Sequence, residues 1–139
     1  MRGAMEASVA ELPNGELAMS LRTQLGAVFL SRSTDGGEVW QYAPTTGRKA
    51  PESSTCLRTV PETEDLILLW NDSWYDPKHH HFGLRTPLSI AFSRDRGRSC
   101  QKLADLASPE EYNFTNIGDW LSRERAFVPT ALCTEQNLR

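Results

Sequence analysis

The sequence predicts an all-β chain of about two four-stranded antiparallel units, the blades of a partial β-propeller. Three observations predict it: short apolar runs with strand periodicity, turn residues between those runs, and a repeat of the whole pattern at 60 residues, from Ser33 to Ser93. A fixed period of several tens of residues, with strand-like runs in each unit, is the signature of propeller blades.

The strands come first. Leu17, Met19 and Leu21 alternate with Ala18 and Ser20; Val28 and Leu30 alternate with Phe29 and Ser31; Leu88, Ile90 and Phe92 alternate with Ser89 and Ala91. Alternation of this kind buries one face of a sheet. The run Leu66-Ile67-Leu68-Leu69-Trp70 is continuously apolar, as expected of a strand covered on both faces. Turn signals fall between the runs, at Pro13-Asn14-Gly15, Asp35-Gly36-Gly37, Pro51-Glu52-Ser53-Ser54 and Asp95-Arg96-Gly97. These place one blade over about 6–45 and a second over about 53–105, with the start of a third strand set over about 110–134.

Bulk composition narrows the function classes. The 139 residues suit one domain, and 39% hydrophobic with 24% charged residues is outside the disordered range. A net charge of −3 lacks the basic footprint that nucleic-acid binding requires. No run of eighteen apolar residues spans a membrane. The N-terminus has no apolar stretch behind Arg2, so it does not read as a signal peptide. The default expectation is a cytoplasmic chain, or an internal piece of a longer secreted one. Cys56, Cys100 and Cys133 are widely spaced and form no C-x-x-C pair, so neither a structural metal nor a cofactor is expected. Gly-rich phosphate loops and G-x-S-x-G elbows are missing as well.

Both repeats end in the same motif. Ser33-Thr34-Asp35-Gly36-Gly37-Glu38-Val39-Trp40 is matched by Ser93-Arg94-Asp95-Arg96-Gly97-Arg98-Ser99-Cys100. In S-x-D-x-G-x-x-W the Ser and Asp side chains accept bonds from backbone N–H groups of the turn. The Gly supplies the required φ, and the aromatic anchors the hairpin. Ser33, Asp35, Gly37 and Trp40 form a full copy; Ser93, Asp95 and Gly97 form a second whose anchor is Cys100. The two Asp residues read as turn-formers, not as catalysts.

This motif is the Asp-box, and with it the chain resembles the sialidase (neuraminidase) superfamily of BNR-repeat propellers. The likeness runs from Glu6 to Ile117 and includes Glu6 to Thr23, an acidic residue followed by strand, Asn-Gly turn, strand and Arg. It implies an exo-glycosidase fold acting on, or binding, a terminal sialic acid or a related acidic sugar. Arginines grip the sugar carboxylate in that family, because the planar guanidinium fork matches two oxygens and stays charged. Its nucleophile is a Tyr assisted by a Glu, an exception to the usual carboxylate pair. By position, Glu6 resembles the Glu, and Arg22 and Arg85 resemble two of the arginines.

The chain also departs from the pattern. Counting back from Ile117 puts Phe114 at the nucleophile position, and Phe has no hydroxyl. Tyr112 is the nearest hydroxyl candidate, two residues earlier and about 7 Å away by strand rise. The family's first Arg and its acidic Asp have no counterpart here. The alternative expectation is therefore a non-catalytic carbohydrate-binding or scaffold propeller. Two blades leave edges open, which implies missing blades or self-association. Trp74 and Tyr75 are candidates for stacking on a sugar. His79-His80-His81 reads as a polar loop, and Asn71-Asp72-Ser73 and Asn113-Phe114-Thr115 are glycosylation sequons.

Overall fold

The computed structural model describes residues 3–79, 82–108, 113–115 and 117, together with the strand backbone at 120–121, 126–127 and 131–133. Two four-stranded antiparallel sheets dominate it. The first is β1 (Met5–Glu11), β2 (Leu17–Arg22), β3 (Ala27–Ser33) and β4 (Thr45–Lys49), hydrogen-bonded in chain order. The second is β5 (Cys56–Thr59), β6 (Leu66–Asn71), β7 (Leu88–Ser93) and β8 (Gln101–Ala107), also in chain order. A short pair follows, β9 (Asn113–Thr115) with β12 (Ala131–Cys133), and another, β10 (Trp120–Leu121) with β11 (Ala126–Phe127). Up-and-down sheets of this kind are propeller blades. Among the described residues no helix is long and apolar enough to cross a membrane.

The two blades bury a common core. Ala10, Leu12, Ala18, Val28 and Leu30 of the first pack with Leu57, Leu66, Leu68, Trp70 and Ala91 of the second. The alternation in β2 has a different sense from the one its large residues suggest. Ala18 and Ser20 are the buried residues, at 1% and 0% exposure, whereas Leu17, Met19 and Leu21 are only half-buried. Close approach of two sheets favours small side chains at the joint, and polar ones there must be paired. They are: the Ser20 and Thr55 hydroxyls lie 2.7 Å apart, the Ser8 hydroxyl accepts from the Leu57 N–H at 2.9 Å, and Thr59 donates to the Glu11 carbonyl at 2.5 Å.

A second cluster covers the far face of the second blade, where Cys56, Leu69 and Leu88 pack with Phe114 and Ile117. The opposite outer face, on the first blade, is less covered. There Leu21, Leu25, Phe29 and Tyr42 line an open apolar groove of about 370 Å³.

Each S-x-D-x-G turn is closed by its own Ser and Asp side chains. The Ser33 hydroxyl donates to Asp35 at 2.6 Å and accepts from the Gly37 N–H at 2.9 Å, while Asp35 accepts from the Val39 N–H at 3.0 Å. In the second box the equivalent distances are 2.7, 2.7 and 2.8 Å, with an added bond from the Ser99 hydroxyl to Asp95 at 2.6 Å. Gly36 and Gly37 take φ of 77° and 95°. Arg96 and Gly97 take 61° and 81°, so the second turn carries a side chain where the left-handed region favours Gly. Cys100 packs partly buried against the shared core.

Hydrogen bonds to the ionised form hold both box carboxyls below the ordinary 3.8, Asp35 chiefly through Ser33, and Asp95 chiefly through Ser93 and then Ser99. A depressed folded value contributes stability above the unfolded value and loses it as pH falls through the folded one. Stability should therefore decline below about pH 4. Asp95→Asn should lower the urea midpoint at pH 7 and flatten part of that acid decline. An unchanged pH dependence in the variant would show that the box carboxyl is not linked to folding.

Candidate functional site

The boxes lie at one end of their blades and the candidate site at the other. In β2, Leu17 pairs with Ser33 at the box end, and Arg22 lies five residues on, roughly 17 Å away at the usual strand rise. This separation removes Asp35 and Asp95 from the site and leaves them as turn-formers.

Arg22 closes β2 opposite Met5 of β1. Between Met5 and Ser8 the register shifts, and Glu6 adopts a φ of 43°, unusual for a non-glycine residue. A bulge re-aims a side chain. Here the Glu6 carboxylate lies 2.7 Å from Nη1 of Arg22. The Glu6 side chain is 54% exposed and that of Arg22 only 12%, so the pair has one fixed and one solvent-facing member.

Arg85 comes from the segment ahead of β7, and its main chain is clamped. Its N–H donates to Oδ1 of Asn113 at 2.7 Å. Its carbonyl accepts from Nδ2 of Asn71 at 2.7 Å and from the Phe114 N–H at 2.9 Å. Both asparagines belong to sequence sequons, and both are buried, at 0% and 5% exposure. In the folded chain both side chains clamp the Arg85 main chain.

The two arginines meet at Glu52. This residue lies in the link between the blades and is 1% exposed. Its Oε1 is 3.5 Å from Nη2 of Arg22, its Oε2 accepts from Gln24 at 3.1 Å, and its main-chain carbonyl accepts from Nη2 of Arg85 at 3.0 Å. From sequence, Pro51-Glu52-Ser53-Ser54 reads as a turn between strands. The structure buries it, with Ser53 donating to the Pro51 carbonyl at 2.9 Å.

Beside this site the loop after β6 forms a cleft of about 420 Å³, lined by Lys49, Asp72, Trp74, His79, Leu84 and Thr86 among others. Trp74 is 74% exposed, with the Lys49 ammonium 5.0 Å from its ring centroid. Tyr75, by contrast, stacks on Phe82 with ring centroids 5.8 Å apart. Asp72 is held by Lys102 at 2.7 Å. His80, His81 and Tyr112 lie outside the described residues. Among the described residues no three His, Cys, Asp or Glu side chains gather as a metal site. Phe114 is a core residue, 4% exposed in the second cluster.

Two stacked antiparallel blades, an Asp-box on each, and arginines from both gathered at the end away from the boxes define a segment of a sialidase-like β-propeller. The chain belongs to the BNR repeat-like domain family, whose model matches residues 1–120. No curated protein matches it. Among solved structures it is similar to a protein of unknown function from Dyadobacter fermentans DSM 18053 (TM-score 0.69, 14% identity, 93% of this chain and 44% of that one). It is also similar to the Hadza microbial sialidase Hz136 (TM-score 0.62, 24% identity, 81% of this chain and 23% of that one). The leech intramolecular trans-sialidase complexed with 2,7-anhydro-Neu5Ac is a third (TM-score 0.58, 17% identity, 97% of this chain and 24% of that one). The chain thus spans less than half the length of each of these structures.

Proposed function

We propose that this chain supplies a carboxylate-gripping part of a sialidase-like sugar site and binds a terminal sialic acid or a related acidic sugar. The observation that carries this reading is the convergence of Arg22 and Arg85, from successive blades, on the single buried residue Glu52. Guanidinium groups oriented from behind by a buried partner present N–H donors to a carboxylate with little reorganisation. Glu6 is the exchangeable partner: half-exposed at the rim, it occupies Nη1 of Arg22 until a ligand carboxylate competes for it.

Binding is assigned to this chain in preference to turnover because of Phe114. At the position where the family resemblance expects a nucleophile, it has no hydroxyl and packs among Cys56, Leu69 and Leu88. Hydrolysis by a longer assembly would need a hydroxyl from elsewhere, such as Tyr112.

Titration of the 139-residue chain with N-acetylneuraminic acid, followed by amide NMR, tests the reading. Shifts should centre on residues 6, 22, 52 and 85. Hydrogen bonds to charged groups contribute roughly 1.5–3 kcal/mol each, so Arg22→Ala or Arg85→Ala should weaken binding at least about tenfold. Galactose, which has no carboxylate, should give no shifts. Shifts that survive both substitutions, or that galactose reproduces, would place the binding elsewhere.

A further inference from the structure

We infer that Glu52 is a positioning residue whose buried carboxylate holds the Arg22 guanidinium in place while its main-chain carbonyl holds that of Arg85. The ligand-binding consequence rests on the acidic-sugar reading above; the positioning itself does not.

The argument starts from burial. Glu52 is 1% exposed, and taking a carboxylate out of water is unfavourable unless it is paired. Its pairing is uneven. Oε2 accepts from Gln24, whereas Oε1 has no hydrogen bond and faces Nη2 of Arg22 at 3.5 Å, an ion-pair distance. A well-packed apolar residue would generally stabilise such a link as well or better. Here the charge serves to fix the orientation of a particular guanidinium.

Location supports this. Glu52 lies in the link between β4 and β5, the covalent joint of the two blades, and touches an arginine from each. The blade joint therefore sets the spacing of the two cations. Glu52 and Glu6 divide the work around Arg22. Glu6 contacts Nη1 from a half-exposed position and can give way to a ligand. Glu52 contacts Nη2 from the interior and cannot.

The two arginine contacts of Glu52 also make the inference testable, because a side-chain substitution alters only the one to Arg22. Rotation about the Cζ–Nη bonds, measured by side-chain NMR on the ligand-free full chain, should be slow for both Arg22 and Arg85 in the wild type. In Glu52→Gln it should accelerate several-fold for Arg22 and stay unchanged for Arg85, whose contact with Glu52 is to the main chain. Free rotation at Arg22 in the wild type would overturn the inference. So would equal acceleration at both arginines, the mark of general loosening, or no change at either. If Glu52→Gln does not fold, the wild-type measurement still decides, and Gln24→Ala, which removes the Oε2 donor, should loosen Arg22 in the same direction.

A ligand arm separates this inference from the functional one. Glu52→Gln should weaken N-acetylneuraminic acid binding about tenfold, and should add nothing in an Arg22→Ala background, because the two residues act through one contact. A full additional loss in that background would overturn the coupling. Slow, selectively released Arg22 rotation without any binding of the acid would sustain the positioning role and sink the sugar reading.

Discussion

Trp70→Ala is expected to remove most of the stability of this chain. Trp70 is 0% exposed at the end of β6, opposite Ser89 of β7, and reaches into the core shared by both blades. Its indole Nε1–H donates to the Lys49 carbonyl at 3.1 Å, so it also ties the last strand of the first blade to the second. Truncating a buried Trp costs about 3–5 kcal/mol, and leaving the carbonyl unpaired adds roughly 1–3 kcal/mol. Domains are stable by only about 5–15 kcal/mol. Urea unfolding followed by circular dichroism should show a collapsed midpoint, or no folded baseline. Trp74→Ala is the contrast. Trp74 is 74% exposed, and its removal should change stability by less than about 0.5 kcal/mol. Equal losses in the two variants would mean that the blades do not share a core.

Gly83→Ala should have the second-largest effect, and one that reaches the site. Gly83 has a φ of +133°, and a Cβ there would lie 2.5 Å from the Trp74 carbonyl oxygen and 2.8 Å from Cβ of Pro51. Neither neighbour can rotate away, since one is main chain and the other a ring. The strained φ alone costs about 1–3 kcal/mol, and the clash adds to it by pushing the Arg85 loop off the Pro51-Glu52 link. We expect a loss of about 3 kcal/mol in unfolding free energy from urea denaturation, together with loss of acidic-sugar binding. Gly36→Ala separates the two causes. Gly36 has a φ of +77° and open space around its Cβ, so only about 1–2 kcal/mol of left-handed strain applies there, with no effect at the site. A Gly83 variant behaving like the Gly36 variant would argue against a tight junction between loop and link.

The comparison of expectation with structure is most instructive at individual residues. Ser33, Asp35 and Gly37 could be read directly, because an Asp-box is a local device: each partner lies within four residues, and no distant contact is needed to define it. Leu66 to Trp70 could be read for a similar reason, since a run of large apolar residues has one favourable fate. Arg22 and Arg85 were suggested by family pattern, which conveys position along a strand but not what the guanidinium touches. The clamping role of Asn71 and Asn113 could not be read, because a sequon and a buried clamp are the same three letters until exposure is known. Glu52 was invisible for the opposite reason: its neighbours Pro51 and Ser53 carry the composition of an exposed turn.

Sequence alone determined the all-β class, the 60-residue blade repeat from Ser33 to Ser93 and the two box turns. These depend on local backbone preference and on periodic burial, both written in consecutive residues. Only the tertiary structure decided that Ala18 and Ser20, not Leu17 and Met19, face the blade joint, and that Arg22 and Arg85 meet at Glu52. Those facts depend on the distance between two sheets and on which charges lose their water together. Both are set when the blades stack, by residues far apart in the chain, Arg22 and Arg85 among them at 63 positions.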